Sequence, residues 1–241
     1  MIRLFKKNIT ITAHLDKRYA GLLNNFPISH SAKYLPHGWK DIPIGKFDWN
    51  IFSISTNVKS CMGIINTIKT GFVMPLWSDL ALEWNNERLK YKFADGISEC
   101  GYHTPEQFPN FYSDYFFLKL VSPWLLHSSE NIKILCTNHF YSFNKPEPYI
   151  TPYAILETIH NWTNTSLFLF FKKEKETQRL LIEAGTPILH FIPLTDKKIK
   201  IENVMISEEN QFSLGSPVIA KFVSRGLKTI KLIKSKTVVK S

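Results

Sequence analysis

His14-Leu15-Asp16 is the first segment whose residue types and spacing suit chemistry. Two positions apart on a strand, a histidine and a carboxylate share one face. With a histidine from elsewhere they make the two-histidine, one-carboxylate iron site found on jelly-roll oxygenases. His190, in the run PILHFIP, is the candidate for that further ligand. Two considerations weigh against an ion. His14 precedes most of the core-forming segments, and a chain with 8 His and 20 acidic residues produces the triplet by chance. The expectation is a surface pair at a strand end, with no metal and no cofactor. His190 alternates with Ile188 and Ile192, which predicts a hydrogen-bonded core histidine. A second cluster is Tyr102-His103-Thr104-Pro105-Glu106-Gln107. His103 and Glu106 are near enough for proton transfer if both face a cleft, but Gly101 and Pro105 predict a solvated turn. No catalytic residue is assigned on these patterns. Trp39, Trp49, Trp77, Trp84, Trp124 and Trp162 would suit a sugar- or base-stacking surface, yet in a β-rich chain they are expected in the core.

Other chemistries lack their residues. No G-x-G-x-x-G or G-x-x-x-x-G-K-[ST] run brings backbone amides to a phosphate, and no G-x-S-x-G, H-E-x-x-H or D-x-D-x-D-G pattern occurs. Cys61, Cys100 and Cys136 are odd in number and without C-x-x-C spacing, so neither a disulfide framework nor a cysteine zinc site is expected. Free buried thiols fit a reducing compartment.

The elements that would position such residues read mainly as strands. Residues 8–13 and 49–55 alternate polar and apolar with period two. Residues 71–77 form a strand that Pro75 assigns to an edge or a bulge. Residues 80–84 and 88–93 suit a hairpin around Asn85-Asn86, with a helix as the competing reading. Residues 133–137 pair with 140–143; 166–172 form a buried strand; 179–182 and 187–193 flank a Gly185-Thr186-Pro187 turn; 199–206 supply a last strand. Residues 17–25 suit a short helix, and the Pro-, Gly- and aromatic-rich stretch after it an ordered loop. With 44% hydrophobic residues over 241 positions there is enough apolar mass for one core. The expected fold is mainly β: a single β-sandwich or jelly-roll-like domain over residues 1–210, with a basic, helical extension over 211–241.

Charge is concentrated in that extension. Beyond Glu209 there is no acidic residue but there are seven cations, which leaves +3 of the net +10 for the rest. From Pro217, Ile219, Phe222, Val223, Ile230 and Ile233 share one helical face, and Lys221, Arg225 and Lys228 recur at i, i+4 and i+7 on another. With Lys231 and Lys234 these cations would dock a protein partner, an anionic surface or nucleic acid. Packing on the chain's own domain is the competing expectation. No apolar run reaches signal-peptide or membrane-span length, so no transmembrane segment and no signal-directed secretion are expected.

Several fragments, in consistent order over about residues 35–195, resemble an uncharacterised family of β-rich proteins encoded by tailed, mainly marine phages. They are Leu35-Pro36 with Gly38-Trp39-Lys40, Val58-Lys59-Ser60-Cys61, Gly71-Phe72-Val73, Asp79, His103 to Gln107, Lys119-Leu120 with Ser122-Pro123-Trp124, Gly185-Thr186-Pro187 and Ile192-Pro193. The chain departs from that pattern after Tyr153 and at His190. The resemblance implies a shared scaffold and a phage origin, with residence in the virion or the host cytoplasm, but no reaction. The function expected is that of a non-enzymatic virion or intracellular binding component, with protein partners or self-association. The alternatives are a jelly-roll, cupin-like metal-dependent oxygenase and nucleic-acid binding through the basic extension.

Overall fold

Alternation in ITITAHL places every second side chain on one face of the first strand, and Ile9, Ile11, Ala13 and Leu15 are all buried there. The same rule, repeated along the chain, builds most of the molecule. A computed structural model describes residues 8–206 except 36–37, 44, 46, 49, 51–52, 55–57, 104–112, 140–147 and 159–162. The strands in chain order are β1 (Ile9–Leu15), β2 (Ser29–His30), β3 (Phe47–Asp48), β4 (Ser53–Ile54), β5 (Phe72–Pro75), β6 (Leu80–Trp84) and β7 (Leu89–Phe93). Then come β8 (Cys100–His103), β9 (Tyr115–Leu120), β10 (Trp124–Ser128), β11 (Lys133–Thr137), β12 (Tyr149–Ile150) and β13 (Ala154–Glu157). The last are β14 (Thr163–Asn164), β15 (Leu167–Lys172), β16 (Gln178–Ile182), β17 (Pro187–Pro193) and β18 (Ile199–Met205). Two short α-helices, α1 (Leu22–Asn25) and α2 (Met62–Lys69), join them. No helix among the described residues is long and apolar enough to cross a membrane.

The fold is mainly β. Its sheets run β14-β10-β1-β18, β13-β11-β17-β5-β2, β12-β15-β9-β8, β16-β6-β7 and β3-β4. Every pairing among them is antiparallel except β1 with β18, which is parallel from Ile9↔Ile199 to Leu15↔Met205. Inward residues of the larger sheets meet in one apolar cluster, from Ile9 and Ile11 through Trp124 and Leu169 to Phe191. Aromatic rings set its packing. Phe72 stacks on Phe191 at 5.0 Å, and Trp84 lies 5.1 Å from Phe171. The buried indoles of Trp77 and Trp84 keep their N–H groups satisfied, by Ser98 Oγ at 2.9 Å and the Lys172 carbonyl at 3.0 Å.

Most strand expectations match. The 80–93 hairpin forms, and the Asn85 side chain closes its turn by accepting from the Glu87 and Arg88 amides at 2.9 and 3.0 Å. Pro75 does not make β5 an edge strand: β5 lies inside the five-stranded sheet, between β17 and β2. Pro75 instead faces Pro187 where the β17 register shifts, and β2 reaches only Phe72 and Val73, so no partner needs the missing N–H. The single helix expected over residues 17–25 divides into a 3₁₀ turn at Lys17–Tyr19 and α1. Helix α2 is absent from the sequence reading. Its Gly63, isoleucines and Thr67 are weak helix formers, although Ile64, Ile65 and Ile68 have helical spacing. The partner strand expected at 140–143 and the extension beyond Ile206 lie outside the described residues.

The segment from α2 into β5 turns at Gly71, whose φ is +83°. A Cβ there would sit 2.0 Å from the Phe191 carbonyl oxygen, so only glycine lets β5 enter this close to β17. Gly71→Ala should destabilise the protein by more than about 2 kcal/mol, read as a lowered midpoint in chemical denaturation. Phe170, 2% exposed and edge-on to Phe117 at 4.7 Å, should cost about 3–5 kcal/mol on Phe170→Ala. A loss below about 1 kcal/mol would contradict the burial of that ring.

Candidate functional site

The structure does not assemble the H-x-D…H constellation. His14 lies on the outward face of β1, half-buried against His127 of the neighbouring strand with ring centroids 6.5 Å apart. Burial, and then the charge of His127, lower its pKa to about 4, so the ring is neutral. Asp16 follows the strand as the cap of the 3₁₀ turn. It accepts from the Arg18 amide at 2.9 Å and holds the Arg18 guanidinium through Nη2 at 2.9 Å. His190 belongs to a different sheet, on β17. Among the described residues no three His, Cys, Asp or Glu side chains are grouped to hold a metal ion.

His103 is in β8, opposite Phe117, and its proposed partner Glu106 lies outside the described residues. The same holds for Lys221, Arg225, Lys228, Lys231 and Lys234 of the extension. Cys100 and Cys136 are pushed up to about 12 by burial, which keeps them as inert thiols, while Cys61 is exposed. Trp77, Trp84 and Trp124 are buried as expected; Trp39 is half-buried, and Trp49 and Trp162 fall outside the described residues.

His190 is a core histidine, 1% exposed, with its Nε2 2.7 Å from the carbonyl oxygen of Thr70. A carbonyl only accepts, so the ring carries its proton on Nε2 and donates. The Ser31 hydroxyl also reaches the Thr70 carbonyl, at 3.0 Å. Behind His190 lies His139, 8% exposed, its ring 6.2 Å from that of His190 and 6.3 Å from Tyr34. Burial, followed by the charge of His190, lowers the His139 pKa to about 4. Burial lowers His190 as well, opposed by its Thr70 bond and assisted by the charge of His30.

The doubly held Thr70 carbonyl forms one wall of a cleft of about 380 Å³ between the end of α2 and the β17–β18 connection. Lys69, Lys197 and Lys198 line it, with His30 and Thr195, and no carboxylate does. Lys197 is ion-paired with Glu130 outside the lining. Lys69 and Lys198 are exposed and have no carboxylate partner among the described residues. Half-buried Ile199 and Ile201 of β18 provide an apolar floor. The arrangement can hold an anion that also presents an apolar surface. A second cleft, about 330 Å³, mixes Asp16, Arg18 and Glu99 and so has no such charge bias. Sequence reasoning missed the basic cleft. Lys197-Lys198 is visible as a basic pair, but nothing in the sequence joins it to Lys69, well over a hundred positions earlier.

The buried histidines set a pH dependence. Below pH about 6.5 the unfolded chain protonates His139, whereas the folded protein resists until about 4; stability is therefore full above 6.5 and falls as the pH drops through that window. His139→Gln should flatten the dependence of unfolding free energy on pH between 6.5 and 4 by about 2–3 kcal/mol. Parallel curves for the two proteins would show that burial does not hold the ring neutral.

No protein-family model matches this chain, no curated protein matches it in sequence, and no solved structure matches its fold.

Proposed function

We propose that the protein works by binding rather than by catalysis, as a non-enzymatic component of a tailed phage that acts in the virion or in the host cytoplasm. The observation that carries this reading is the structural employment of several candidate reactive side chains among the described residues. Asp16 caps a turn and holds Arg18, His190 donates to a backbone carbonyl, and the buried thiols of Cys100 and Cys136 are kept protonated. Each of these groups is held in place by a contact that serves the fold, and His190, Cys100 and Cys136 are withdrawn from solvent as well. The phage assignment rests on the ordered sequence resemblance over residues 35–195.

Two measurements test the reading. Protein purified without added metal should carry far less than one equivalent of iron or zinc; a stoichiometric content would favour the oxygenase alternative and overturn this one. Mass spectrometry of purified particles of the phage that carries the gene should find the protein at structural copy number if it belongs to the virion. Its presence only in infected-cell lysate would assign it to the cytoplasm.

A further inference from the structure

The binding reading leaves the ligand unnamed, and the basic cleft narrows it. We infer that the cleft between α2 and the β17–β18 connection binds single-stranded nucleic acid, with a phosphate against Lys69 and Lys198 and a base over Ile199 and Ile201. This inference rests on the binding reading above.

Three features support it. The first is charge: three lysines and no carboxylate line the cleft, and two of them lack a carboxylate partner among the described residues. Cations left unneutralised beside an enclosed wall attract phosphates and release their counterions on contact. The second is the floor. Ile199 and Ile201 are two positions apart on β18, so both face the same way, and both are only half-buried. An aliphatic floor beside cations matches a nucleotide, which joins a flat, weakly polar base to a charged phosphate. A base presents that face only when it is unpaired. The third is size and rigidity. At about 380 Å³ the cleft has room for one nucleotide unit and not for the width of a duplex. The backbone beside Lys69 is fixed: Ser31 and His190 grip the Thr70 carbonyl, and the Ser31 amide reaches the Gly71 carbonyl at 3.1 Å. Binding then has to order the lysine side chains but not the backbone at Thr70-Gly71.

The test uses the full-length chain and fluorescence anisotropy of a labelled oligo-dT over a series of salt concentrations. Lys69→Ala/Lys198→Ala should weaken binding at least tenfold. It should also reduce the slope of log affinity against log salt by about 1.4, the value for two lost contacts on a single strand. Lys198→Glu alone, on an exposed connection, gives the same readout if the double variant unfolds. Wild-type protein should bind oligo-dT more tightly than a blunt duplex and more tightly than poly-glutamate. Unchanged affinity and slope in the lysine variants overturn the inference, and if Lys221→Ala/Arg225→Ala/Lys228→Ala then abolishes binding, the interaction belongs to the basic extension. Equal affinity for poly-glutamate overturns it in favour of an acidic protein partner. Free dTMP competing at the oligonucleotide's own affinity overturns the strand assignment in favour of a mononucleotide. None of these outcomes alters the metal content that tests the binding reading, so the two fail separately.

Discussion

The backbone at Thr70-Gly71 is the joint on which both the sheet packing and the cleft depend. Gly71 turns through a left-handed conformation with its Cα pressed against the β17 backbone, at a distance no side chain permits. The carbonyl just before it accepts from a serine on one side and a histidine on the other. Together these fix where α2 ends and where β5 begins. Phe72 thereby meets Phe191 in the core while Lys69 is left at the rim. One short segment thus couples an interior contact to a surface one.

That coupling explains the setting of the histidines. A ring that must donate to a buried carbonyl and exclude water is most useful when neutral, and burial keeps it so. His139 packs behind it under the same constraint, with Tyr34 on its other side. Protonating either ring would put a charge beside the other in a region with little water to screen it. His190, which looked like a ligand in the sequence, is therefore part of the framework that shapes the cleft.

The strands were legible wherever burial follows a simple period. β1, the 80–93 hairpin, β15 and β17 alternate or run apolar over whole segments, and their turns carry Asn85 or Gly185. His190 was legible for the same reason, since its flanking isoleucines mark a packed strand. Helix α2 was not, because Gly63 and β-branched residues contradict its helical spacing, and it packs instead on the neighbouring 3₁₀ turns at Ser31–Lys33 and Val58–Ser60. Pro75 was half legible: proline excludes a normal ladder position, but only the length of β2 decides between edge and bulge. The cleft could not be read at all. Its lysines come from a helix end and a strand connection that are remote in sequence, and periodicity says nothing about which ends of which sheets meet.

The parallel pairing of β1 with β18 has a consequence for how the chain acquires its structure during synthesis. β1 leaves the ribosome before every other strand described here, yet one of its two neighbours is the last of them to emerge. Until then its apolar residues can be sheltered by β10, but one backbone edge stays open to pairing with other chains. Contacts this distant in sequence slow collapse to the final state, since the loop between them must be closed first. The vulnerable interval for aggregation therefore ends only when the segment around Ile199 has left the ribosome.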